Sequence, residues 1–217
     1  FMRAVIFANG ALTDLSQAIS LIQPEDLIIA ADGGSMNCLA AGCWPDAIVG
    51  DLDSLSPWLL ADLQGRGVRF LEHPRDKDQT DLELAIEFAI SQGVQEILLF
   101  GLYGERLDQT LANLLLLSRE GWKDIRLIAS AGADTAYLLH PGATLTLEGK
   151  PGDIVSLIPL TDAVQGVCTD GLRWPLVDAD LKFGTTLSVS NELVAPKASI
   201  IIRNGKLMVT HRRSNHD

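Results

Sequence analysis

Across residues 3–129 short apolar runs alternate with stretches of helical periodicity, and that alternation restricts the fold more than any other feature of the chain. Residues 3–8, 27–31, 47–49, 68–71, 97–100 and 125–129 read as strands, each too short and too apolar for anything but a buried one. Between them, Leu12, Leu15, Ile19 and Ile22 are spaced for one helix face, which Pro24 closes. Further helices are predicted over residues 35–41, 57–65, 82–91 and 107–118. Strands alternating with helices imply a mostly parallel sheet covered on both faces. In open sheets of this kind, ligands gather beyond the carboxyl ends of the strands. Asp32, Asp51, Lys77, Asp78 and the loop 101–108 all follow predicted strands. Polar, glycine-rich loops are common at such positions without any ligand, so placement by itself decides nothing.

The pattern changes near Gly132. Beyond it lie short β-prone runs at residues 144–147, 154–158, 164–169, 186–190, 199–203 and 206–211, divided by Pro141-Gly142, Pro151-Gly152, Asp170-Gly171 and Asn204-Gly205. Asn-Gly between two alternating runs predicts a tight hairpin. The expectation is an α/β domain over residues 1–132 followed by a small all-β sandwich or jelly roll over 133–217. No internal repeat or low-complexity segment is present.

The net charge of −11 argues against nucleic acid or an anionic membrane as partner. It also means that a polyphosphate ligand needs cations between itself and the protein. Three cysteines (Cys38, Cys43, Cys168), without a Cys-x-x-Cys, suggest neither a disulfide framework nor a zinc site, and fit a cytoplasmic location. No run reaches the length of a membrane span, and no signal peptide is visible. Phe1 ahead of Met2 reads as a residue added before the natural start.

Gly50-Asp51-Leu52-Asp53-Ser54 leaves a buried strand for a polar loop. In an extended backbone Asp51 and Asp53, two residues apart, point the same way. Like charges held together raise each other's cost, and a hard divalent cation such as magnesium removes it. A second acidic pair lies in Lys77-Asp78-Gln79-Thr80-Asp81, and the two stretches are expected to converge on a metal-phosphate site. Taken singly, the Asp-x-Asp is also a common solvated turn. Asp78 also reads as the N-cap of the following helix, with Asp81 in its first turn. No Walker-type phosphate loop or Gly-x-Gly-x-x-Gly fingerprint occurs. Gly101-Leu102-Tyr103-Gly104-Glu105-Arg106 still lets backbone approach phosphate, with Arg106 as a fork-shaped donor. Asp108 is open to three roles: ordering Arg106, ligating metal or capping the next helix. In the second half Trp174 is either core or a platform for a flat ligand.

Taken together, Ala31-Asp32-Gly33-Gly34, the Gly50–Ser54 and Lys77–Asp81 motifs, Gly104-Glu105-Arg106-Leu107-Asp108-Gln109 and Asn113 resemble the catalytic domain of thiamine pyrophosphokinases. Gly171-Leu172-Arg173-Trp174 and Ser190-Asn191 resemble that family's thiamine-binding β domain. The resemblance runs through nearly the whole chain. It departs where Leu52 replaces a usual Phe, Glu105 a usual Gly and Ser35 a usual Ala.

The resemblance implies transfer of the terminal diphosphate of ATP to the hydroxyl of thiamine, with AMP released. It implies magnesium on Asp51, Asp53 and Asp81, with Asp32 as a further ligand. Two ions roughly 4 Å apart would suit such a transfer. Asp32, Gly33, Lys77, Thr80, Gln109 and Asn113 fall to the nucleotide, with Lys77 and Arg106 steadying phosphates. Asp78 or Asp108 would orient the attacking hydroxyl. Trp174 would stack on the aminopyrimidine while Ser190 and Asn191 hydrogen-bond the substrate. A homodimer is implied, with thiamine between the catalytic domain of one chain and the β domain of the other. The competing classes are a pyrophosphokinase for a pterin-like alcohol, a phosphatase with Asp51 as nucleophile, and a ligand sensor without catalysis.

Overall fold

The computed structural model describes residues 2–12 and 14–214; Phe1 lies outside them. The chain divides into two compact units, one reaching to Leu117 and including Asp124–Gly132, the other formed by Ser118–Lys123 and the chain from Ala133 onward.

The first unit runs β1 (Arg3–Phe7), α1 (Leu15–Leu21), β2 (Leu27–Ala31), α2 (Gly34–Ala40), β3 (Ala47–Gly50), α3 (Pro57–Gly65), β4 (Arg69–Glu72), α4 (Asp81–Ser91), β5 (Glu96–Phe100), α5 (Leu107–Leu116) and β6 (Arg126–Ala131). Its strands lie in the order β6-β5-β1-β2-β3-β4, and every neighbouring pair is parallel. Successive strands step away from β1 in one direction as far as β4, and then β5 returns to its other side. The connections leaving β1 and β5 therefore diverge, opening a crevice at the carboxyl ends of that pair. Side chains alternate across the sheet as a pleated strand requires. Ile28 packs with Val5, Phe7, Leu98 and Phe100 against Ala18 of α1 and Cys38 of α2. Ala30, two residues on, packs with Ile48 against Leu63 of α3.

Helix starts follow local chemistry. The Ser56 hydroxyl accepts from the Leu59 N–H with Pro57 in the first turn, and the Asp14 carboxylate accepts from Gln17. At α4 the cap is Thr80, whose hydroxyl accepts from the Glu83 N–H; Asp78 is not the cap. Extended geometry at Thr80 places Asp81 as the first helical residue, where a carboxylate is favoured by the helix dipole.

The second unit contains a 3-10 turn (Glu120–Trp122), β7 (Asp134–Leu139), β8 (Thr144–Glu148), β9 (Ile154–Pro159), β10 (Ala163–Asp170), β11 (Ala179–Lys182), β12 (Asn191–Glu192), β13 (Lys197–Ile201) and β14 (Leu207–Arg212). Within this unit β12-β9-β14-β7 and β11-β10-β13-β8 form two antiparallel sheets. Their inward residues, among them Leu147, Val155, Leu157, Val167, Leu181, Ile200 and Val209, form one core. The sandwich expected from the sequence is present, but two of its details differ. Asn204-Gly205 does not close a hairpin: β13 pairs with β8 and β10, whereas β14 pairs with β7 and β9, so the dipeptide carries the chain from one sheet to the other. Gly205, at φ +92, passes tightly against Ala163 and Thr161. Residues 186–190 alternate like a strand but form turns, ending on Ser190 at φ 63. Among the described residues, no helix is long and apolar enough to cross a membrane.

One polar group lies deep in this unit. The Asp153 side chain, 3% exposed, faces His211 Nε2 at 3.0 Å and accepts from the N–H groups of Lys150 and Ser214. Burial pushes its pKa up, but the two N–H groups and His211 outweigh it, and the net shift is downward. A depressed carboxyl contributes stability that is present above its unfolded pKa of about 3.9 and is lost as pH falls through the lower folded value. Asp153→Asn is expected to cost roughly 2 kcal/mol at pH 7. In urea titrations that deficit should shrink below about pH 4; a deficit that stays constant with pH would contradict the role of the charge.

Candidate active site

Three carboxylates meet where β2 and β3 end. Asp32, Asp51 and Asp53 each offer an oxygen within 4.8 Å of the others. The local backbone is not extended, as the two-residue spacing suggested. Asp32 (φ 44) and Leu52 (φ 62) both adopt left-handed conformations that cost energy for residues with a Cβ. The turn at Leu52 lets the Asp51 carboxylate accept from the Asp53 N–H at 3.2 Å, while the Leu52 side chain packs toward Ile48, Leu55 and Leu63. Ser54 donates from its hydroxyl to Asp32 Oδ1 at 2.9 Å, fixing the third carboxylate.

Asp81 comes from the start of α4. A Cβ on Gly50 would stand 2.8 Å from Asp32 Cβ and 3.2 Å from Asp81 Oδ1, so the bare glycine is what allows both carboxylates to close on the end of β3. Lys77 Nζ stands 2.8 Å from Asp81 Oδ1 as an ion pair, yet that buried oxygen has no hydrogen bond of acceptable geometry. The protonation pattern reports the same crowding. The Asp53 N–H holds the Asp51 carboxyl below its usual range, while the neighbouring Asp51 pushes the Asp53 carboxyl up. Clustered oxygen donors, one of them buried and unsatisfied, fit a hard divalent cation.

Beside this cluster, in the crevice between β1 and β5, lies a cavity of about 510 Å³, a size that suits a nucleotide. Asp32, Thr80, Asp81, Arg106, Gln109 and Asn113 line it. Arg106 is held by Asp108 through both carboxylate oxygens, at 3.2 and 2.6 Å. Asp108 therefore orders the arginine, and the arginine in turn lowers its pKa. Asn113 Nδ2 donates to the Leu102 carbonyl, and the Thr110 hydroxyl accepts from Gly104 N–H, so α5 holds the loop after β5. Glu105, an exposed residue of that loop, also lines the cavity.

The remaining predicted residues lie outside the cavity wall. Gly33 caps α2, Lys77 bridges the Pro74 carbonyl and Asp81, and Asp78 is exposed in the loop before α4. Asn9, Gly10 and Ala11 line the cavity without having been singled out from the sequence. Asn37, also unforeseen, fixes that loop by donating to both the Ala8 and Gly10 carbonyls. The only sequence signal was the Asn9-Gly10 pair at the end of the first strand.

The second unit has its own cleft, of about 240 Å³, lined by Trp174, Leu176, Leu187, Ser188, Val189 and Asn191. Trp174 is 55% exposed, which excludes a core role. Arg173 lies over its ring at 5.1 Å and pairs with Glu192. Ser190 is exposed, and its N–H donates to the Ser156 hydroxyl. Asn191, expected to meet substrate, is 5% exposed and bonds to the main chain of Trp174.

A parallel sheet bearing acidic groups and a nucleotide-sized cavity at its carboxyl ends, in a chain that also carries an aromatic cleft, defines an enzyme of phosphoryl transfer. Comparison with known proteins makes this specific. The model for "Thiamin pyrophosphokinase, catalytic domain" matches residues 18–129, and that for "Thiamin pyrophosphokinase, vitamin B1 binding domain" matches residues 143–208. The chain belongs to the thiamin pyrophosphokinase family. It is 26% identical over 204 residues to thiamine pyrophosphokinase of Bacillus subtilis, covering 94% of this chain and 95% of that one. The crystal structure of thiamine pyrophosphokinase from Bacillus subtilis superposes with a TM-score of 0.87 at 25% identity, over 98% of this chain and 99% of that one. That of the Geobacillus thermodenitrificans protein gives 0.84 at 26% identity, over 99% of both.

If the carboxylates hold a divalent cation, Gly50→Ala is expected to push Asp32 and Asp81 apart and weaken its binding about tenfold, the equivalent of one charge-assisted contact, with magnesium as the probe. Titration of magnesium by calorimetry, with circular dichroism confirming the fold, checks this; unchanged affinity would contradict the crowding at Gly50.

Proposed function

We propose that the protein transfers the terminal diphosphate of ATP to the hydroxyl of thiamine, forming thiamine diphosphate and releasing AMP. The observation that carries the residue assignment is the double membership of Asp32 and Asp81. Both line the nucleotide-sized cavity, and both close on Gly50 beside the Asp51–Asp53 pair. A bound polyphosphate would therefore rest against the acidic cluster.

Magnesium, held by Asp32, Asp51, Asp53 and Asp81, would supply neutralisation of the phosphate charge. The other roles belong to the chain itself. Arg106, its guanidinium oriented by Asp108, donates to phosphate oxygens. Lys77 holds Asp81 in place and adds positive charge. Thr80, Gln109 and Asn113 shape the nucleotide wall, and Gly33 starts the helix behind it. The thiamine oxygen attacks the β-phosphorus, the bond to the α-phosphate oxygen breaks, and AMP leaves with that oxygen. Such a reaction calls for alignment and charge stabilisation more than for covalent help from the protein. Asp108 serves through Arg106, and Asp78, exposed in its loop, would accept the proton that the hydroxyl gives up. Trp174 offers its indole to the aminopyrimidine, and the exposed Ser190 would hydrogen-bond the substrate.

Two further readings belong to this proposal. The first is a cytoplasmic location, with all three cysteines as free thiols. The second is a homodimer sharing its thiamine sites. In support, α5 leaves Leu107, Leu111 and Leu115 exposed along one face, an apolar stripe that a second chain would bury. Sedimentation should accordingly return the mass of two chains, and a monomer throughout the working concentration range would exclude the shared site.

Incubation with thiamine, ATP and magnesium should yield AMP and thiamine diphosphate in equal amounts. ADP as the nucleotide product would refute diphosphate transfer. Asp53→Asn should lower kcat by at least about a hundredfold with the fold intact, as loss of a charge-stabilising group does; a near-normal rate would remove Asp53 from the site.

A further inference from the structure

The side-chain amide of Asn191 is almost wholly committed inside the protein. Its Oδ1 accepts from the N–H of Trp174 at 3.1 Å and from the N–H of Glu192 at 2.9 Å. Its Nδ2 donates to the Trp174 carbonyl at 2.7 Å. An asparagine amide has two acceptor and two donor positions, and three are filled. Exchanging nitrogen and oxygen would set an NH2 group against two N–H donors, so the bonding pattern itself fixes the orientation. Asn191 lines the cleft, but at 5% exposure it offers little surface there.

Trp174 lies five residues beyond β10's Thr169 and belongs to no regular element. Its segment is fastened to residues 191–194 instead. Val194 N–H donates to the Gly171 carbonyl and Arg173 N–H to the Glu192 carbonyl, with the Arg173–Glu192 ion pair alongside. Asn191 supplies two more links, and among the described residues these are the ones that hold both polar groups of the Trp174 main chain. Behind it, the paired β12 and β9 hold Asn191 against Val155.

We infer that Asn191 is a positioning residue: it fixes the Trp174 main chain, and through it the indole in the cleft, rather than bonding the substrate. This rests on the reading of the cleft as the thiamine site. If Asn191 acts only through Trp174, its removal should matter only while Trp174 is present.

The test is a double-mutant cycle on the full chain, read in thiamine KM, ATP KM and kcat. Asn191→Ala should raise thiamine KM about tenfold, the equivalent of the lost pair of bonds, with ATP KM unchanged. In the Trp174→Ala background, Asn191→Ala should add nothing. Effects that multiply would show direct contact with substrate and overturn the inference, as would an unchanged thiamine KM in the single variant. If Asn191→Ala does not fold, Asn191→Asp decides the same cycle, since it keeps the acceptor oxygen and loses the donor to the Trp174 carbonyl. A substrate-free measurement separates this inference from the assigned reaction. Fluorescence anisotropy of Trp174, obtained by difference from Trp174→Phe, should fall in Asn191→Ala even if thiamine were not the substrate. Anisotropy equal to that of the parent would refute the clasp.

Discussion

Carboxylates brought close together repel, and the first unit is arranged so that this repulsion persists in the folded chain. Asp32 and Leu52 hold left-handed backbones, Gly50 leaves no Cβ in the way, and Ser54 and the Asp53 N–H steer two of the carboxylates. The left-handed backbones at Asp32 and Leu52 are not the cheapest local choice. They persist because the strands beneath, with Ala30, Ile48 and Val49 almost completely buried, cannot shift to relieve them. The crowding that remains, felt in the raised pKa of Asp53, would favour a divalent cation among these oxygens.

The sheet decides where that force acts. Because β1 lies between β5 and β2, the loops after β1 and β5 part, and the cavity opens beside the acidic ends of β2 and β3. Asn37 and Asn113 then hold the two loops from neighbouring helices by bonds to main-chain carbonyls. Such bonds set the shape of the wall without placing any charge in it, which leaves the electrostatics to Arg106, Glu105 and the aspartates, with Lys77 paired to Asp81.

Much of this was legible in the chain, and the exceptions have physical causes. Strands buried on both faces read as apolar runs, so β1, β2, β3 and β5 were visible from side chains alone; β4, at the sheet edge with Arg69 and Glu72 exposed, is not the buried strand its apolar residues suggested. The helix expected over residues 57–65 is present with Pro57 in its first turn, whereas Asp78 and Thr80 both suit a cap and the structure assigns the cap to Thr80. Asn204-Gly205 reported a turn truthfully but not which strands it joins, because pairing depends on contacts distant in sequence. The Asp51–Asp53 convergence was foreseen from an extended backbone, but a left-handed Leu52 produces it. Asn9 and Asn37 escaped notice because their role follows from strand order, which periodicity does not encode. Asn191 was singled out as a polar residue of the cleft, but its partner is the main chain of Trp174, a relation that no motif records.

The placement of Arg173 has a consequence for what the cleft accepts. A guanidinium carbon stands 5.1 Å from the centre of the Trp174 ring, and the residue is still 55% exposed. A cation already engages one face of the indole, which leaves a flat guest the other to stack on.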